Sequence, residues 1–153
     1  MKICDYLKED HIFLDLKPGD KAQVLKQLMA ALKKKGFISK EKVILDELFQ
    51  RESLGSTGLE KGIAVPHALI DEIEEPFLAL AVMKKEVDFE ALDKRPTRII
   101  LLLLGDKRKP GFQLKILAHI CRLVKETNFV EKTRKAKTAA EICSIFKEEE
   151  KKI

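Results

Sequence analysis

The chain has 153 residues, of which 45% are hydrophobic and 36% charged, and carries a formal net charge of +5. That length and balance suit one folded domain spanning 1–153 with a buried core, and they exclude a disordered chain. The longest apolar run, Ile99 to Leu104, is far too short to cross a bilayer, and Met1-Lys2-Ile3-Cys4-Asp5 mixes polar residues where a secretory signal would be apolar. The lysines are scattered among glutamates with no interleaved aromatics, so nucleic acid is not an expected partner.

Taken in chain order, Ile12-Phe13-Leu14 with Leu16 reads as a short strand, and Pro18-Gly19 as a turn. Asp20 with Gln23 is a capping box opening a helix whose apolar face is Leu25, Leu28, Met29 and Leu32, closed by Gly36. A second helix is expected from Ser39 to about Arg51-Glu52, burying Val43, Leu45, Leu48 and Phe49. Ser53 to Gly62 holds three glycines, two serines and a threonine, the composition of a loop. It leads into a very short strand, Ile63-Ala64-Val65, stopped by Pro66. Leu78 to Met83 reads as a buried strand, Val87-Asp88-Phe89 as a short strand or turn, and Ile99 to Leu104 as a strand ended by Gly105. The last third is helical. Gly111 to Lys125 places Leu114, Leu117, Ala118, Cys121 and Val124 on one stripe, and Asn128 with Glu131 and Thr138 with Glu141 are capping boxes for two more helices. A charged tail, Lys147 to Lys152, follows. Strands interspersed with helices predict an α/β fold, a mixed sheet with helices on both faces.

Three histidines carry what chemistry the sequence offers. His11, before the first strand, reads as a surface turn residue. His119 shares a helical face with Lys115, Arg122 and Glu126, which is the solvent side. His67 differs, because it follows a short apolar strand and a proline at the end of the glycine-rich passage. A strand end is where α/β folds commonly place their sites. Gly55-Ser56-Thr57-Gly58 offers hydroxyls and amides that can cradle an anion, and Arg51 just upstream can clamp oxyanions with its guanidinium fork. Together these suit transient phosphorylation of an imidazole nitrogen. The P-loop, GxGxxG and GxSxG spacings are absent, which argues against nucleotide binding and hydrolase chemistry. Cys4, Cys121 and Cys143 lie far apart with no metal-ligand spacing. They point to a reducing, cytoplasmic setting, and no metal or cofactor is implied.

The run Arg51-Glu52-Ser53-Leu54-Gly55-Ser56-Thr57-Gly58, followed by Gly62-Ile63-Ala64-Val65-Pro66-His67, is similar to the signature of the enzyme IIA proteins of the fructose–mannitol type. These belong to the bacterial phosphoenolpyruvate-dependent sugar phosphotransferase system, and the nitrogen-regulatory branch is the closest in style. The resemblance covers nearly the whole chain. It implies a three-layer sandwich and a phosphohistidine carrier. In that reading His67 takes a phosphoryl group from the histidine phosphocarrier protein and passes it to an enzyme IIB. Arg51 is the phosphate-site arginine, with Ser56, Thr57 and Gly58 where the loop approaches the phosphate. One departure stands out: Gln113 occupies the place of the family's second histidine, where an amide can donate to a phosphate oxygen but cannot shuttle a proton. Leu69 and Ile70 are expected either on the partner surface or in the core. The alternative is a regulatory protein whose phosphorylation state governs binding to other proteins.

Overall fold

A computed structural model describes all 153 residues. One sheet of five strands forms its middle layer: β1 (Ile12–Phe13), β2 (Ile63–Ala64), β3 (His67–Ile70), β4 (Phe77–Val87) and β5 (Thr97–Asp106). The order is β1-β4-β5-β2, and β3 also pairs with β5, one step further along the edge held by β2. The β4–β5 pair is antiparallel and the others are parallel, so the sheet is mixed as expected. Helices α1 (Lys21–Lys34) and α2 (Glu41–Ser53) bring Leu25, Leu28 and Leu48 onto one face, against Ala79, Ile100 and Leu102. On the other face, α3 (Pro110–Glu126), α4 (Phe129–Lys135) and α5 (Ala139–Glu150) bring Ile120, Phe129 and Phe146 against Leu80, Ile99 and Leu101. Both faces of β5 are covered, which is why Ile99 to Leu104 is an unbroken apolar run without alternation. No helix is long and apolar enough to cross a membrane.

The Asp20 box forms in full, with the Asp20 carboxylate accepting from Gln23 N and the Gln23 side chain accepting from Asp20 N. Gly36 follows α1 with a φ of +82°, which only glycine adopts without strain. Other expectations are corrected. In α2 the buried residues are Ile44 and Leu48, with Leu45 and Phe49 partly covered, while Val43 is 51% exposed. In α3 the buried face is Ile116, Ile120, Leu123 and Val124, and Leu114 is 67% exposed. Both helices are apolar over more than one stripe, so spacing identifies the helix but leaves its rotation open. Asn128 precedes α4 without a side-chain cap; Thr127 Oγ1 instead accepts from Phe129 N at 3.2 Å. Thr138 does cap α5, accepting from Glu141 N.

Two histidines and the tail are less exposed than the sequence suggests. The His11 ring packs against Phe37 and Phe77 with centroids 4.5 and 4.6 Å away, and Nδ1 lies 2.9 Å from Leu78 O. His119 Nε2 lies 2.6 Å from the carboxylate of Glu150, which is itself buried. Glu150 also accepts from Ile3 N at 2.7 Å and Cys4 N at 3.0 Å, so the charged tail fastens the start of the chain.

Candidate functional site

The local sequence explains how the site is assembled. Arg51 stands in the last turn of α2, where the helix dipole favours a cation. The next residue, Glu52, has a side chain only 6% exposed and accepts from Thr57 N at 3.3 Å, from the Thr57 hydroxyl and from the Lys21 ammonium. It folds the loop back on the helix end. Ser56 Oγ donates to Phe89 O and accepts from Gly58 N at 3.0 Å. Gly58 passes so close to the 88–96 loop that a Cβ would sit 3.0 Å from Ala91 Cα. Val65 N then donates to Thr57 O at 3.0 Å, which ties this loop to the segment leading into β3.

Pro66 does not end the pairing along that edge. Leu103 N donates to Pro66 O at 3.0 Å, and the ladder resumes with His67 opposite Leu103. His67 therefore opens a strand of its own, β3, as well as following β2, which fixes its backbone more firmly. Its Nδ1 lies 2.8 Å from Val65 O. A carbonyl can only accept, so Nδ1 carries the proton and Nε2 holds the lone pair. Arg51 Nε donates to that nitrogen at 3.3 Å, and Arg51 Nη1 donates to Gly55 O at 2.9 Å. Burial of the half-covered ring lowers the His67 pKa below its ordinary value; the Val65 carbonyl opposes this and the Arg51 cation adds to it. The imidazole is neutral at neutral pH, with a lone pair directed at a cation.

His67 and Arg51 open onto a cavity of about 480 Å³, whose walls include Leu69, Lys107, Gln113 and Leu114. Ile70 faces the core instead. Gln113 is 6% exposed, and its Nε2 donates to Ala68 O at 3.2 Å. Its Oε1 has no partner. The carboxamide lies over Gly105, where a Cβ would stand 1.9 Å from Oε1. Gly105 is thus a strand residue that makes room for Gln113, not a strand terminator. Ser56 and Thr57 line an adjoining cavity of about 410 Å³, but both hydroxyls are turned to partners within the protein, and the Gly58 amide is engaged as well. Sequence reading missed three contributors: Glu52, which holds the loop, Gly105, which seats Gln113, and Lys107, a cation on the cavity wall. Only Glu52 stood in the recognised run, and nothing about it announced burial.

This arrangement presents a neutral nucleophilic nitrogen to an open cavity beside a guanidinium, which suits acceptance of an anionic electrophile. The chain belongs to the family described as phosphoenolpyruvate-dependent sugar phosphotransferase system, EIIA 2, whose model matches residues 5–149, and it is accordingly a phosphotransferase component. Among curated relatives, it is 33% identical over 147 residues to a nitrogen regulatory protein of Bradyrhizobium diazoefficiens, covering 95% of each chain. It is 30% identical over 145 residues to a mannitol-specific phosphotransferase enzyme IIA component of Geobacillus stearothermophilus, covering 93% of this chain and 95% of that one. The crystal structure of nitrogen regulatory protein IIA-Ntr from Neisseria meningitidis superimposes with a TM-score of 0.85 at 28% identity, over 94% of this chain and 98% of that chain.

Proposed function

We propose that His67 is the phosphoryl acceptor, that it is phosphorylated on Nε2 by the histidine phosphocarrier protein, and that it hands the group to a cysteine of an enzyme IIB in the cytoplasm. The observation that carries this is the pair of contacts on the ring, Nδ1 to Val65 O and Nε2 to Arg51. The Nε2 lone pair attacks the donor's phosphorus, the donor's P–N bond breaks, and its imidazole leaves with the electron pair. The ring becomes a phosphoimidazolium that keeps its Nδ1 proton, and the Val65 carbonyl stabilises the new positive charge. Arg51 Nε–H moves from Nε2 to a phosphoryl oxygen as the group arrives. Positioning and charge stabilisation are the protein's main contributions, as in phosphoryl transfer generally. Gln113 has a second amide hydrogen beyond the one given to Ala68, and it supplies a further donor in the lining of the same cavity. In this conformation Ser56, Thr57 and Gly58 support the loop, and they reach phosphate only if their internal hydrogen bonds exchange.

Gln113 also favours a second reading, in which phosphorylated His67 acts as a signal to regulatory proteins. A carboxamide cannot titrate, so it does not tie the lifetime of the phosphorylated state to pH through a second imidazole.

Intact-mass analysis tests the site after incubation with phosphoenolpyruvate, enzyme I and the phosphocarrier protein. One acid-labile phosphate is expected, and none in His67→Ala. Nitrogen-15 spectra of the phosphorylated chain should show phosphorus coupling to Nε2; coupling to Nδ1 would reverse the proposed chemistry. Adding an enzyme IIB separates the two roles. Rapid loss of the phosphate marks a carrier, whereas persistence together with phosphorylation-dependent capture of a regulatory protein marks a signal.

A further inference from the structure

A second cavity lies at the other end of the sheet. Ile63 pairs with Ile99 and His67 with Leu103, so the two ends are four residues apart along β5, or about 13 Å. This cavity of about 130 Å³ shares no residue with the His67 cavity. Four cations line it, Lys61, Arg95, Arg98 and Arg134, against a single carboxylate, Glu86.

How those cations are held decides what the cavity can take. Arg98 is half-buried, and its Nε donates to Met83 O at 3.0 Å. One edge of the guanidinium is therefore fixed by a carbonyl, which orients the group without neutralising it. Lys61 Nζ donates to Val124 O at 2.6 Å and is likewise uncompensated. Arg95 is 3.9 Å from Asp93, too far for a strong pair, and only Arg134 has a close carboxylate, Glu131 at 2.7 Å. The backbone turns sharply at this point. Lys61 has a φ of +67°, a conformation a lysine adopts at a cost, and its amide is held by Asp93 at 3.0 Å. Gly62 follows at +87°, and a Cβ there would press on Pro96 O at 3.3 Å.

We propose that this cavity is a second anion site, which takes a tetrahedral oxyanion: free phosphate or the phosphoryl group of a small phosphomonoester. Planar guanidinium groups bind such oxygens in pairs, and fixing Arg98 beforehand reduces the entropy lost on binding. The volume is well below the roughly 300–1,000 Å³ of sites for larger organic ligands, which excludes a nucleotide held whole.

The test is an amide NMR titration of the full-length chain carrying His67→Ala, so that the outcome does not depend on the phosphoryl chemistry proposed above. The probes are inorganic phosphate, glycerol 3-phosphate and, as a screening control, sodium chloride. Saturable shifts are expected at Gly62, Arg98 and Arg134 with both phosphates and not with chloride. Arg98→Gln and Arg134→Gln should each weaken binding about tenfold or more. Arg134 is exposed, so its variant keeps the test valid if Arg98→Gln fails to fold. Tighter binding of the ester identifies a phosphorylated metabolite as the occupant, and equal or tighter binding of phosphate identifies the free ion. Phosphate shifts no larger than those of chloride, shifts confined to Arg51 and Gln113, or unchanged affinity in both variants would overturn the proposal.

Discussion

At the residue scale, the decisive feature is the division of labour between the two nitrogens of His67. The Val65 carbonyl fixes the tautomer, and burial with the nearby Arg51 cation keeps the ring neutral. With its pKa below the ordinary 6.5, the initial rate of phosphorylation should stay level from alkaline pH down to about 6.5 and fall only below that. Carbon and proton shifts of the ring against pH measure the pKa directly, and a midpoint above 6.5 would contradict the desolvated setting. Arg51→Ala should slow phosphoryl uptake on the order of a hundredfold, the typical loss when one stabilising donor is removed. Its half-exposed side chain predicts little change in thermal unfolding. An equal collapse of folding would make Arg51 structural. Arg51 and His67 were legible in the sequence because their types and spacing are distinctive. The inward-turned hydroxyls of Ser56 and Thr57 were not, because their partners, Phe89 and Glu52, are chosen by tertiary folding.

At the element scale, β5 and α3 are fitted to one another at Gly105 and Gln113. Gly105→Ala would place a methyl group inside the Gln113 carboxamide, at a cost of about 1–3 kcal/mol typical of overpacking. Gln113→Ala in the same chain should restore most of that loss in urea unfolding; additive losses would mean that the two positions are not coupled. The helix starts give a second contrast. Thr138→Ala removes a formed cap and should cost about 1 kcal/mol, whereas Asn128→Ala removes none and should be nearly neutral. The same S/T/N-x-x-E pattern preceded both helices. Only the backbone, with Asn128 at ψ +22°, settles which side chain reaches the first turn.

At the scale of the whole molecule, the two ends of the chain are joined. The Glu150 carboxylate holds the amides of Ile3 and Cys4 and the ring of His119. Glu150→Ala leaves the buried Ile3 amide and the half-buried Cys4 amide and His119 ring without their acceptor and should lower stability by about 2–4 kcal/mol. Faster reaction of Cys4 with a thiol reagent would localise the damage to the N-terminus. Acid should act on the molecule through two rings. Burial lowers the pKa of both His11 and His67 below 6.5, so the unfolded chain takes up protons before the folded one. Their contribution is fully present above about 6.5 and is lost as pH falls toward the folded values, which denaturation midpoints across that range will register.

Alone, the sequence determined the class of fold, the caps at Asp20 and Thr138, the central strand, and the pairing of His67 with Arg51. These depend on local chemistry: periodicity, capping side chains and a short recognisable run. Only the tertiary structure decided the rotation of α2 and α3, the strand that begins at His67, the seat that Gly105 provides for Gln113, and the burial of Glu150, His11 and His119. Each of those is a contact between residues distant in the chain. Its free energy comes from excluding water and satisfying polar groups across an interface, which no single stretch of sequence contains.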